Sequence, residues 1–109
     1  MKVFVIDFSK DNSLIEICRR NNNVVEYEQK DGAMAYSKTR EFMPDIIVVN
    51  YSEKPSHGRI TSQKINQRKM TSHIPIYFID GTKNENDKIL GFGIPITRID
   101  LERIINKDS

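Results

Sequence analysis

Five short apolar runs recur along the chain, and polar stretches with helical spacing follow them. The first, Val3-Phe4-Val5-Ile6, is continuous rather than alternating, as in a strand covered on both faces. It stops at Asp7, after which Ser9, Asp11 or Asn12 can cap a helix with Leu14, Ile17 and Cys18 on one side. Asn21-Asn22-Asn23 reads as a turn cluster, and Val24 to Tyr27 as a second, shorter strand. A helix opens at Asp31-Gly32 and runs to Phe42 and Met43. Pro44 ends it, because the residue before a proline is disfavoured in the helical region. Ile46-Ile47-Val48-Val49 is the third strand, and a loop is expected from Tyr51 to Gly58. Arg59 to Met70 can form a helix, although its apolar positions Ile60, Ile65 and Met70 fall every five residues, a poor stripe. Ile74 to Ile79 makes a fourth strand, and Asn84 to Leu90 a short helix closed by Gly91. Ile94 to Thr97 makes a short fifth strand, and Asp100 caps a last helix carrying Leu101, Ile104 and Ile105.

Strands alternating with helical patterns predict an α/β fold: a single doubly wound domain over residues 1–109 with a five-stranded parallel sheet. No linker or internal repeat divides the chain. In such sheets ligands bind beyond the carboxyl ends of the strands, which directs attention to Asp7, Asn50, Asp80 and Thr97. Composition adds exclusions. At 38% hydrophobic and 29% charged, the 109 residues are neither low-complexity nor disordered. The apolar runs are far too short to span a bilayer, and four apolar residues before Asp7 do not make a secretory signal. Cys18 is the one cysteine, which excludes an internal disulfide and a multi-cysteine metal site; its apolar neighbours make it an inert core residue. A reduced, cytoplasmic protein without membrane contact is expected.

The stretch Pro44-Asp45-Ile46-Ile47-Val48-Val49-Asn50, with Gly58 eight residues after Asn50, resembles the receiver (CheY-like) domain of two-component response regulators. Asp31-Gly32-Ala33-Met34-Ala35, Ile74-Pro75-Ile76-Tyr77-Phe78-Ile79 and Asp100 to Ile105 are similar to further parts of that family, in the same order. The resemblance implies a flavodoxin-like sheet of order 2-1-3-4-5. It also shows departures. The family's phosphoacceptor aspartate is here Asn50, and a carboxamide is a poor nucleophile without charge for Mg²⁺. Of the acidic pair after the first strand only Asp7 remains, with Phe8 beside it. Asp80 stands where a Thr/Ser is expected, Thr97 where a Lys is, Arg98 where a proline is, and Ile94 where the switch aromatic is. So many replacements argue against Asn50 being a single change in an otherwise intact site. The resemblance therefore implies a degenerate phosphoacceptor pocket of Asp7, Phe8, Asn50, Asp80 and Thr97: a pseudo-receiver, not an enzyme.

Under this topology Asp7 and Asp80 share a crevice. A vestigial cation site with Asn50 is conceivable, but two carboxylates without a strict third ligand make a weak one. The plainer expectation is that Asp80 hydrogen-bonds Asn50 or Thr97, with no metal and no cofactor. His57 and His73 are too isolated to suggest zinc. Net charge is +2, from 17 basic and 15 acidic residues, with a pI near 8.7, so no polyanion partner is required. Lys54, Arg59, Lys64, Arg68 and Lys69 nonetheless form a local basic segment. The leading expectation is a phosphorylation-independent module that binds a protein partner or itself. The face implied by the resemblance holds Ile89, Phe92, Ile94, Arg98 and Ile99, with Arg98 as an exposed anchor and the polar helix before it loosely held. The alternative is a regulator that binds nucleic acid or another polyanion through residues 54–73.

Overall fold

The structure, a computed structural model, describes residues 1–106. Its strands β1 (Lys2–Ile6), β2 (Val24–Glu28), β3 (Ile46–Asn50), β4 (Ile76–Ile79) and β5 (Ile94–Ile96) form a parallel sheet in the order β2-β1-β3-β4-β5. Between and after them come helices α1 (Ser13–Arg19), α2 (Gly32–Phe42), α3 (Pro55–Gln67), α4 (Lys83–Asp87) and α5 (Arg98–Ile105). This is the doubly wound α/β fold and strand order expected. No helix among the described residues is long and apolar enough to cross a membrane.

Why β1 and β3 read as unbroken apolar runs follows from the period of a strand. Successive side chains point to opposite faces, and both faces are covered. Phe4, Ile6, Ile47, Val49 and Phe78 meet Ala35 and Ile65 on one side. Val3, Val5, Val48 and Ile79 meet Leu14, Ile15, Cys18, Leu101 and Ile105 on the other. Cys18 is fully buried, and burial pushes its thiol up to about 12, so it holds its proton. The edge strands differ: β2 and β5 leave Val24, Tyr27 and Ile94 exposed.

Four expectations need correction. Residues 55–67 are helical from Pro55, which takes the first turn where a missing N–H costs nothing, so the expected loop ends at Lys54. The buried face of α3 is Gly58, Thr61, Ser62 and Ile65, while Ile60 and Met70 are exposed. A β-carbon on Gly58 would stand 3.0 Å from Val49 Cγ1, so its absence lets α3 lie against β3. Residues 74 and 75 stay outside β4, because Pro75 has no N–H for the ladder; its carbonyl accepts from Ile47 N at 2.9 Å. The cap of α5 is Thr97 rather than Asp100: Thr97 Oγ1 accepts from Asp100 N, and the Asp100 carboxylate accepts from Thr97 N in return. Lastly, α4 ends at Asp87 with Lys88 as its cap, so Gly91, at a φ of +99°, sits in the turn after the helix rather than closing it.

Candidate functional site

At the carboxyl end of β1, Asp7 is completely buried. Its Oδ1 accepts from Ser9 N at 2.9 Å, Ser9 Oγ at 2.6 Å and Asn50 Nδ2 at 3.1 Å. Its Oδ2 has no hydrogen-bond partner. At the end of β3, the Asn50 carbonyl oxygen is turned to the next loop, where it accepts from Ser52 N at 3.1 Å and Ser52 Oγ at 2.7 Å. Both polar ends of the carboxamide are therefore committed within the protein. Phe8, nearly buried, lies beside the His57 ring with centroids 4.0 Å apart.

Asp80 and Thr97 belong to different surroundings. Asp80 ends β4 in the left-handed region, φ +61°, which a short polar side chain tolerates better than most. Its carboxylate accepts from Arg98 Nε at 2.9 Å, and Arg98 Nη1 donates to Ser13 Oγ at 3.2 Å. Asp80 thus bonds neither Asn50 nor Thr97, contrary to expectation. It shares a shallow cleft with Thr97 and Asp100, whereas Asp7 points into its own buried network. The five residues expected as one pocket are two sites. Asp7 keeps one unpartnered carboxylate oxygen, the Asn50 oxygen is engaged by Ser52, and the Asp80 carboxylate holds Arg98. Among the described residues no three His, Cys, Asp or Glu side chains are grouped to hold a metal ion.

The expected partner face also changes. Ile89 is fully buried in the core, and Phe92 packs edge-on against Phe78 at 5.9 Å, so neither is a surface anchor. Arg98 is held by Asp80 and Ser13 rather than free. The exposed apolar residues of this stretch are Leu90, Ile94 and Ile99. The segment around α4 is tied down, in addition to Ile89, by polar contacts that an apolar-stripe argument could not foresee. Arg59 Nη1 reaches Glu85 Oε2 at 2.6 Å and Tyr51 Oη at 3.2 Å, while Tyr51 Oη donates to the Glu85 carbonyl at 2.8 Å. Hydrogen bonding from Lys88 leads in holding the Glu85 carboxyl below its ordinary value; burial opposes it, and the charge of Lys88, the Tyr51 hydroxyl and the charge of Arg59 add to the lowering. Burial pushes the Tyr51 phenol up.

That ion pair removes Arg59 from the basic segment. The remainder divides. Lys64 and Arg68 border a 350 Å³ groove between α2 and α3, where the Arg68 guanidinium sits over the Tyr36 ring at 4.9 Å. Lys54 instead borders a 550 Å³ cleft with Lys10, Lys30 and His57, and Lys69 is exposed past the end of α3. Lys10 and Lys30 escaped the sequence reading because they are isolated along the chain. The available signal was positional: each of the first three strands is followed within four residues by a lysine.

No protein-family model matches the chain, and no curated protein matches it in sequence. Solved structures do. The bacteriophytochrome response regulator AtBRR is similar at a TM-score of 0.68 and 13% identity, over 98% of this chain and 90% of that one. A fusion carrying the yeast Spc42 trimeric coiled coil, amino acids 181–211, is similar at a TM-score of 0.68 and 17% identity, over 98% of this chain and 74% of that one. Likeness at such identities establishes the fold.

Proposed function

We infer that the chain is a receiver-like regulatory module that does not take up a phosphoryl group, has no catalytic activity of its own and acts by binding a protein partner. The observation that carries this reading is Asn50. At the end of β3, where a receiver presents a carboxylate nucleophile, the side chain is a carboxamide with its nitrogen on Asp7 and its oxygen on Ser52. Such a group has no lone pair basic enough to attack phosphorus and no charge to recruit Mg²⁺. Thr97 caps α5 instead of offering an ammonium group, and the Asp80 carboxylate is already paired with Arg98. The likeness in fold to a response regulator supports a regulatory role. Leu90, Ile94 and Ile99, exposed around β5, are the apolar side chains through which a protein partner would be held.

Two measurements test this. Incubation with acetyl phosphate and Mg²⁺ should leave the intact mass unchanged. A stable gain of about 80 Da, one phosphoryl group, that is lost in Asn50→Ala would overturn the reading. Asn50→Asp alone should also fail to give efficient transfer, because Thr97, capping α5, stands where the family's lysine would neutralise the phosphoryl oxygens. Affinity capture from native extract should return a protein that Ile94→Glu with Ile99→Glu no longer retains. Retention by that variant would move the partner surface elsewhere.

A further inference from the structure

Beyond the phosphoacceptor position, the loops after β1, β2 and β3 enclose the 550 Å³ cleft, a volume within the usual range of small-ligand sites. Each loop contributes one lysine: Lys10, Lys30 and Lys54. The three are exposed, and among the described residues none of their ammonium groups has a hydrogen bond or an ion pair. His57 makes the far wall, and no Asp or Glu lines the cleft. Asp11 and Glu53 border a neighbouring depression on the other side of Lys10 and Lys54, where the Asp11 carboxylate is already held by Ser13 N and Oγ. Three unneutralised ammonium groups converging on one concavity raise the local potential for an anion far above what a net charge of +2 would give. The position is also the one where open parallel sheets bind ligands, next to the point between β1 and β3 where the chain changes direction of winding.

We propose that this cleft binds a small molecule carrying two or more linked phosphates. Linked phosphates offer more charge and reach than a single phosphate, which suits a cleft lined by three separate lysines. The concave arrangement suits a compact ligand more than a nucleic-acid strand, which needs an extended basic track with stacking aromatics. The rest of the lining suits a nucleoside attached to the phosphates. Gln29 Nε2 donates to Asn12 Oδ1 at 2.9 Å, which leaves Asn12 Nδ2 as a donor and Gln29 Oε1 as an acceptor on two residues that line the cleft. The paired Phe8 and His57 rings supply an apolar wall.

Titration of the protein with tripolyphosphate and, separately, with ATP and GTP, without divalent metal and followed by calorimetry and amide NMR shifts, tests the proposal. Expected is saturable one-to-one binding, weaker at higher salt, with shifts centred on Lys10, Lys30, Lys54 and His57. Lys30→Gln with Lys54→Gln should weaken it by at least about tenfold while the amide spectrum stays folded, and Lys69→Gln, outside the cleft, should not. Tighter binding of a nucleoside triphosphate than of tripolyphosphate would identify a nucleotide as the source; equal binding would identify the phosphate chain alone. The proposal is overturned by no saturation with any of these at millimolar concentration. It is equally overturned by equal weakening in Lys69→Gln, which would mean general attraction to a cation. A single-stranded oligonucleotide that binds where the triphosphates do not would assign the lysines to nucleic acid instead.

Discussion

The carboxyl edge of the sheet has two halves that treat acidic side chains in opposite ways. At the ends of β1 and β2, Asp7 and Glu28 are buried and answered mainly by hydrogen-bond donors from adjacent loops. Glu28 Oε2 accepts from Lys30 N and Asp31 N at 2.9 and 3.0 Å, and Oε1 pairs with Lys38 at 2.9 Å. At the end of β4, Asp80 is more than a third exposed and answered by one equally wet arginine. A buried carboxylate must find its donors inside the protein, because losing one leaves a charge that water cannot reach. An exposed one gains little from its partner, because water already solvates both. The first half is therefore structural scaffolding, and the second is free to vary.

Substitutions can break or sharpen this contrast. The largest effect is expected from Asp7→Ala, which strips the acceptor from Ser9 and from the buried Asn50 amide. Chemical denaturation should show a loss of about 3 kcal/mol, and a loss below about 1 kcal/mol would place Asp7 with the exposed acids. Next comes Glu28→Gln, at about 1–2 kcal/mol near neutral pH. Burial raises the Glu28 carboxyl, but the Lys38 ammonium and the N–H groups of Lys30 and Asp31 more than reverse this, holding it below its ordinary value of 4.5. Its folded value is thus lower than its unfolded one. The stabilisation is complete above 4.5 and fades as pH falls through the lower folded value, so Glu28→Gln should flatten the acid limb of the stability curve. An unchanged acid limb would contradict the assignment.

Tyr51→Phe probes the bridge between the two halves. It removes the hydroxyl joining Arg59 to the Glu85 carbonyl, for an expected loss of about 1 kcal/mol and increased hydrogen exchange around α4. Smallest is Asp80→Asn, below about 1 kcal/mol and diminishing further in high salt. A loss comparable to Asp7→Ala would show that the Asp80–Arg98 pair is not the surface contact its exposure implies.

Much of this fold was legible along the chain. Strands buried on both faces must be apolar throughout, so β1 and β3 announced themselves, and Pro44 marked the real end of α2. What failed was α3. Its inward face is made of Gly58, Thr61 and Ser62 around Ile65, and a helix can bury a hydroxyl that finds a backbone acceptor, as Ser62 Oγ does with the Gly58 carbonyl at 2.7 Å. A hydrophobic count misplaces the contact face of a helix when that face is small rather than greasy.

The sequence by itself determined the parallel sheet, its strand order through the family resemblance, and the absence of a carboxylate nucleophile at residue 50, because these depend on local residue type and spacing. Only the tertiary structure decided which charged groups meet. Asp80 went to Arg98 rather than to Asp7's neighbourhood, Arg59 was drawn out of the basic segment by Glu85, and Lys10, Lys30 and Lys54 were gathered around one cleft. The physical reason is that backbone preferences act over a few residues, whereas charges respond to distance through space, and folding brings together loops that lie 20 to 44 positions apart in the chain.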